Sequence, residues 1–230
     1  MIAIVSDIHG NFPALSAVFA EIDRLGVERI VCLGDIAGYY CAVNECIEAV
    51  RARGIVNLMG NHDYYLTSGT GCPRSTSANR CLDYQRQVIT DANLRWLAES
   101  QSACSVDGVS MVHGGWRDPL DEYLYQVSED YFAPLDGARF ASGHTHVQGM
   151  WTFTEKVYCN PGSVGQPRDG DPRAAFAIWA DGVPTLHRVA YDIGATCRLM
   201  KEAGFEPYVY ENLYHGTRIG DAHATRSRKT

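Results

Sequence analysis

Five short segments of this chain hold carboxylates, imidazoles and an amide: Asp7-Ile8-His9, Gly34-Asp35, Gly60-Asn61-His62-Asp63, Val112-His113-Gly114 and Gly143-His144-Thr145-His146. Any one alone carries little. A lone Asp-x-His is ordinarily a turn or a helix cap, and a lone Asn-His-Asp a polar loop. Together they gather five of the eight histidines and predict a binuclear metal centre with Asp7, His9, Asp35, Asn61, His113, His144 and His146 as ligands. Oxygen and imidazole donors without thiolate suit Mn²⁺ as the expected ion, with Fe, Zn²⁺ or Ni²⁺ as alternatives. Two such ions about 3.5–4 Å apart can clamp a phosphoryl oxygen and supply a bridging hydroxide near neutral pH. Two aspartates at about −2, two ions at about +4 and the hydroxide at about −1 leave roughly +1 facing a substrate.

His62 adjoins Asn61 without needing to be a ligand. An imidazole there can protonate a leaving alkoxide or stabilise phosphoryl oxygens. Asp63 is expected to orient it or to cap the following segment, with no catalytic role. His187, His215 and His223 lack such a setting and are expected to be structural or exposed.

Strand ends must position these side chains, because ligand groups in open α/β sheets collect at the carboxyl ends of strands. Residues 2–6 form an apolar run typical of a strand buried on both faces. Asn11 and Pro13 open a helix that Gly26 closes, and Ile30–Leu33 forms the next strand. Asn44 is expected to cap a helix through Arg53, with a third strand at Ile55–Met59. This β-α-β-α-β start predicts a parallel sheet with right-handed crossovers.

Tyr64–Ser77 reads as a loop, and Asn79–Val88 and Asp91–Glu99 as helices. Together 64–101 form an insertion expected to overhang the cleft. Arg74, Arg80 and Arg86 are candidate phosphate contacts there, and Tyr64, Tyr65 and Tyr84 candidate stacking surfaces. The second half reads as hairpins: Ala103–Val106 with Val109–His113 around Asp107-Gly108, Val147–Phe153 with Lys156–Cys159, and Ala174–Ala180 with Val183–Ala190 around Asp181-Gly182. Ala138–Ser142 supplies the strand before the fifth motif. Two packed sheets follow, the first mostly parallel and the second mixed. Ile193–Ala203 and Pro207–Tyr214 read as short helices, and residues after Gly216 as a disordered tail. The expected organisation is a catalytic domain over 1–190, a helical extension over 191–216 and a tail over 217–230.

The chain has 230 residues, 46% of them hydrophobic and 20% charged, with a formal charge of −7. That describes a globular protein with a full core. It argues against a protein that tracks extended nucleic acid, which needs a basic stripe. No apolar stretch approaches the ~20 residues of a membrane span, and no signal peptide is read at the N-terminus. Without a CxxC pair, the eight cysteines are expected to be reduced thiols in a cytoplasmic protein. A homo-oligomer is compatible with this composition.

The five motifs resemble the calcineurin-like metallophosphoesterase superfamily, whose pattern is D-x-H, G-D, G-N-H-[DE], H and G-H-x-H. The match runs from Asp7 to His146 with no ligand missing. The resemblance implies an α/β fold, a four-layer α/β/β/α sandwich with two mixed β-sheets flanked by helices. It implies that Asp7, His9 and His146 hold one metal, that Asn61, His113 and His144 hold the other, and that Asp35 bridges both. His62 takes the family's catalytic, non-ligand histidine position, acting with Asp35 and Asn61.

Asp7-Ile8-His9-Gly10-Asn11, Gly34-Asp35-Ile36-Ala37-Gly38-Tyr39 and Asn160-Pro161-Gly162-Ser163-Val164-Gly165-Gln166-Pro167-Arg168 are similar to the compact bacterial and archaeal phosphodiesterase branch. Asn11, Arg168 and Arg74 are the candidate substrate contacts. Two departures stand out. The Asp-Arg-Gly that serine/threonine phosphatases and symmetrical diadenosine tetraphosphatases carry after the second motif is absent. Tyr40-Cys41-Ala42-Val43 replaces a Gly-Pro-containing loop. The expected activity is hydrolysis of a small phosphate ester, phosphodiesters first, by a metal-bridging hydroxide. The alternatives are hydrolysis of a nucleotide pyrophosphate bond, phosphomonoester hydrolysis, or a non-catalytic scaffold of the same fold. The expected partner is a small phosphorylated substrate such as a nucleotide.

Overall fold

The computed structural model describes residues 1–221. Two five-stranded sheets stack face to face. In the first, β1 (Ile2–Val5), β2 (Ile30–Cys32) and β3 (Val56–Asn57) run parallel. The helices α1 (Phe12–Arg24) and α2 (Val43–Ala52) make the crossovers. The helices α3 (Asn61–Ser68), α4 (Thr76–Val88) and α5 (Asp91–Ala98) then lead to the second sheet, which begins with β4 (Ala103–Val106) and β5 (Val109–Val112). After the four-residue helix α6 (Glu129–Phe132), that sheet is completed by β6 (Arg139–Ser142), β7 (Gly149–Thr152) and β8 (Val157–Asn160), in the order β4-β5-β6-β8-β7. The hairpin β9 (Ala174–Ala180) and β10 (Val183–Val189) returns to the first sheet, giving β10-β9-β1-β2-β3. α7 (Ile193–Glu202) and two 3₁₀ turns at Pro207–Val209 and Glu211–His215 follow.

The sequence leads one to expect a mostly parallel first sheet, and this is corrected. β9 pairs antiparallel with β1, so each sheet has two parallel and two antiparallel pairs. The hairpin signal at Asp181-Gly182 fixes a local pairing but not which sheet receives it.

Alternation along β1 splits its side chains between two cores, as a strand's period of two requires. Ile2 and Ile4 join Val31, Met111, Cys159 and Trp179 between the sheets. Ala3 and Val5 face α1 and α2 with Leu15, Val18, Ile22 and Ile47. The outer face of the second sheet is covered by an aromatic cluster of Phe132, Phe140 and Tyr158 with Trp116. Its helical layer is thin, because α6 is its only helix among the described residues.

Two local expectations are also corrected. Helix α3 begins at Asn61 and takes in residues 64–68, the start of the segment read as loop, and α4 takes in its last two residues. Asp63 drives the start of α3 by accepting backbone N–H bonds from Gly60, Asp35 and Ala37, a side-chain cap that also holds the second motif. Asn44 does not cap α2, which starts at Val43. Its amide instead accepts from Thr90 N–H and Asn93 Nδ2 and donates to the Val88 carbonyl. It therefore fastens the α4–α5 connection to α2. All eight cysteines are free, and no helix among the described residues is long and apolar enough to cross a membrane.

α4 reaches the metal motifs through one side chain. Gln85 is fully buried; its amide accepts from Gly38 N–H and donates to the carbonyls of Gly38 and Tyr40. Replacing it with Ala strands these polar groups at about 1–3 kcal/mol each. Gln85→Ala is therefore expected to lower unfolding stability by about 3 kcal/mol or more, read from urea denaturation. An unchanged midpoint would show that the loop after Asp35 does not depend on α4.

Candidate metal centre

Each motif leaves the carboxyl end of a strand. β1 delivers Asp7 and His9, β2 Asp35, β5 His113, and β6 His144 and His146, while Asn61 and His62 open α3 just beyond β3. None of these eight side chains is more than 4% exposed. Asp7, His9, Asp35, His144 and His146 all have left-handed backbone, with φ from 51° to 66°. Such φ values strain residues with a Cβ, by about 1–3 kcal/mol each. Hydrogen bonds impose them. Asp7 N–H donates to the Gly34 carbonyl and His9 N–H to the Asp35 carbonyl. Asp7 also takes His144 N–H on Oδ2 and the Ser163 hydroxyl on its carbonyl.

The ligand atoms collect into two groups, Asp7–His9–His146 and Asp35–His113–His144, each with its atoms within 4.8 Å of one another. Asn61 Oδ1 joins the second, 3.2 Å from His113 Nε2. Asp35 Oδ2 lies between the groups, 3.6 Å from His9 Nε2 and 3.5 Å from His113 Nε2. Its other oxygen accepts from His62 N–H at 2.8 Å.

Backbone carbonyls fix the imidazole tautomers. Nδ1–H of His9 donates to Ala37, that of His146 to Gln166 and that of His113 to Leu33. A neutral ring so held presents a bare lone pair at Nε2. Burial keeps His9 and His146 below the ordinary histidine range, so their Nε2 atoms, 3.1 Å apart, face each other without a proton. Asp7 Oδ1 is buried without a hydrogen-bond partner. Burial raises the Asp7 and Asp35 carboxyls, but their imidazole neighbours hold both well below the carboxylate range. Burial also opposes a charge on His113, yet Asp35 pushes it up to about 9. The carboxylates thus draw a proton onto His113 to answer their demand for positive charge, and a divalent cation in each group would meet that demand and displace the proton.

His144 turns Nδ1 towards His113 Nε2 at 3.1 Å. Its Nε2 then carries the proton and points at Asp121 Oδ1, 3.4 Å away. This carboxylate–imidazole arrangement orients metal-binding histidines. Sequence reasoning missed Asp121, which lies in the irregular stretch between β5 and α6, where no periodicity or motif marks it.

His62 stands apart from both groups. Burial drives its imidazole down to about 4, and its Nδ1 has no hydrogen-bond partner. The ring packs beside His9, Tyr39 and Tyr65 and lines a cavity of about 350 Å³ that opens outward from the motifs. Arg168 also lines it, with Nε and Nη2 on Gln166 Oε1 and its guanidinium 5.3 Å from the Tyr39 ring. Arg74 lines it too, paired with Asp121.

Other candidates are turned elsewhere. Asn11 is fully buried, and its amide bonds Gly165, Tyr191, Ala14 and Thr196, which makes it a helix cap and clamp. Arg80 pairs with Glu206 and Tyr208, and Arg86 with Asp83, Tyr65 and Thr70. Tyr84 packs on Phe205. Among the remaining histidines, His187 stacks on Phe176 and His215 ends a 3₁₀ turn, while His223 lies outside the described residues. Tyr39, Tyr123 and Tyr125 form the aromatic wall instead. Tyr39 stands in one of the branch-like segments, whereas Tyr123 and Tyr125 carry no sequence signal.

Comparison with known proteins gives concordant results. A family model described as the calcineurin-like phosphoesterase superfamily domain matches residues 1–180. An uncharacterised protein of Methanocaldococcus jannaschii is 31% identical, across 94% of this chain and 98% of its own. The crystal structure of a metallophosphoesterase from Sphaerobacter thermophilus is 31% identical with a TM-score of 0.82, covering 94% of this chain and 98% of that one. A hypothetical protein from Pyrococcus horikoshii shares the fold at 20% identity with a TM-score of 0.86, covering 95% and 100%.

Asp121→Ala removes the carboxylate facing His144. The expected result is a loss of about 10–100-fold in affinity for added Mn²⁺, as for other partners of metal-bound histidines, measured by calorimetric titration. Unchanged affinity would show that His144 needs no orienting partner.

Proposed function

The chain belongs to the calcineurin-like phosphoesterase superfamily, and from that premise we propose that it hydrolyses small phosphate esters, phosphodiesters first, with two divalent ions, Mn²⁺ foremost. The observation that carries this reading is the position of Asp35 Oδ2 within 3.6 Å of an imidazole from each ligand group. One carboxylate oxygen so placed suits a bridge between two ions. Asp7, His9 and His146 would hold one ion, and Asn61, His113 and His144 the other. When bound, the ions supply Lewis acidity and ionise water near neutral pH.

The protein's own groups supply orientation and hydrogen bonds to developing charge. Arg168 has no carboxylate within ion-pair distance among the described residues, so its guanidinium can take non-bridging phosphoryl oxygens. His62 lines the same cavity, outside the ligand groups. Burial keeps its ring neutral, so its role is to donate an N–H hydrogen bond to a phosphoryl or leaving oxygen as negative charge develops there. The half-enclosed cavity of about 350 Å³ suits a small ester and gives a folded phosphoprotein little access. The front of the insertion, Cys72–Ser77, forms part of its wall.

Two substitutions separate the roles. Asp35→Asn weakens the bridge, so elemental analysis after dialysis is expected to find both metals depleted, with activity on bis(p-nitrophenyl) phosphate abolished. Two tightly held ions with normal turnover would remove the bridging role. His62→Ala is expected to keep both metals while losing about 10²–10³ in kcat, the usual cost of removing one preorganised hydrogen-bond donor. Collapse of the metal content would make His62 a ligand.

A further inference from the structure

The cavity beside the ligand groups is more cationic than one phosphate requires. The whole chain carries a formal −7, yet the residues lining this cavity include Arg74, Arg168 and Arg218 and no carboxylate. Arg74 is neutralised by Asp121. Arg168 and Arg218 have no carboxylate partner within ion-pair distance among the described residues.

The two unpaired arginines stand at different depths. Arg168 is half-buried against Tyr39, and Tyr39 packs on the ligand His9 and on His62. Arg218 is exposed at the mouth. An aromatic ladder leads to it from the ligands: Tyr123 lies 3.7 Å from the His144 ring, Tyr125 stacks on Tyr123 at 5.5 Å, and the Tyr125 hydroxyl accepts from Arg218 Nη2 at 2.6 Å. Ser75 and Ser77, at the amino end of the 13-residue helix α4, also face the cavity, where the helix dipole favours negative charge.

Arg218 lies beyond the residues matched by the family model, and the fold carries it to the mouth by local restraints. Gly216 approaches the Asp171 backbone so closely that a Cβ would sit 2.6 Å from its carbonyl. The Gly216 carbonyl accepts from Gly170 N–H, and the Asn212 amide donates to the Thr217 carbonyl.

We propose that Arg218 and Tyr125 form a subsite for a second phosphate, so that the preferred substrate carries an anionic phosphate beyond the one held by Arg168 and the ligand groups. This rests on the phosphoesterase reading and adds a substrate class to it: esters with two or more phosphates. The C-terminal segment selects that class. A free polyphosphate and a nucleoside polyphosphate share this chemistry.

Calorimetry on the Mn²⁺-loaded protein, with free Mn²⁺ held constant, would compare inorganic phosphate, methylenediphosphonate and α,β-methylene-ADP. The wild type is expected to bind at least one diphosphonate about tenfold tighter than phosphate, the effect of one charged hydrogen bond. Arg218→Gln should erase most of that preference, and Tyr125→Phe should reduce it. Arg24→Gln removes the same charge from a distant exposed pair with Glu21 and should leave the preference intact. Preference for α,β-methylene-ADP alone identifies a nucleoside source, and preference for both diphosphonates a free polyphosphate; either supports the subsite. An unchanged ratio in Arg218→Gln, or an equal fall in Arg24→Gln, overturns it. Turnover of bis(p-nitrophenyl) phosphate by the wild type is scored separately. Its absence would count against the phosphoesterase reading, whereas normal turnover with no diphosphonate preference would count against the second subsite alone.

Discussion

One carboxylate oxygen, Oδ2 of Asp35, faces imidazoles that arrive from both sheets: His9 after β1 and His113 after β5. Both sheets must therefore bring their strand ends to one point within hydrogen-bond tolerance, and much of the surrounding structure serves that requirement. The backbone bends left-handed at five of the candidate ligand positions. Asp63 holds Asp35 N–H and Ala37 N–H from below. Burial and the Asp35 charge push the Asp63 carboxyl up to about 7, while its backbone N–H donors favour the ionised form. Gly60 can have no side chain, because a Cβ there would lie 2.1 Å from Asp35 Oδ1.

Rigidity at the centre is matched by restraint from outside. The insertion after β3 divides its labour. Its front edge borders the cavity, while Gln85 and the Asn44–Asn93 contacts tie its helices to the first sheet's loops and to α2. A residue in the insertion can thus alter the site without touching a ligand, through the position of Gly38 and Tyr40. The carboxylate of Asp121 has a similar indirect reach, since it meets both Arg74 and His144.

Electrostatics links the centre to its mouth. An acidic molecule repels anions at long range, but screening limits that effect to about a Debye length of 8–10 Å. Within the cavity the local arginines decide. Tyr39 and Tyr123 keep Arg168 and Arg74 at fixed positions by cation–π contact, so little conformational entropy is lost when an anion is bound.

The sequence by itself determined the strands, the five motifs and the residue types that converge. Apolar runs ending in Asp, His and Asn have few physical explanations, and the turn at Asp107-Gly108 specifies its own hairpin. Choices that depend on distant chain segments were settled only by the tertiary structure. Hairpin β9–β10 joins the first sheet because β1 offers it an edge, which no local pattern encodes. Asn11 carries the polar type expected of a substrate contact, yet packing with Gly165 and Thr196 consumes its amide. Arg80 and Arg86 lie on α4 and pair with Glu206 and Asp83, whereas Arg74 sits in the turn before that helix and lines the cavity. Asp121, Tyr123, Tyr125 and Arg218 left no periodicity to read, because irregular segments are fixed by contacts between residues far apart in the chain. The chemistry was local and legible; the shape and charge of the cavity that receives a substrate arise from long-range packing.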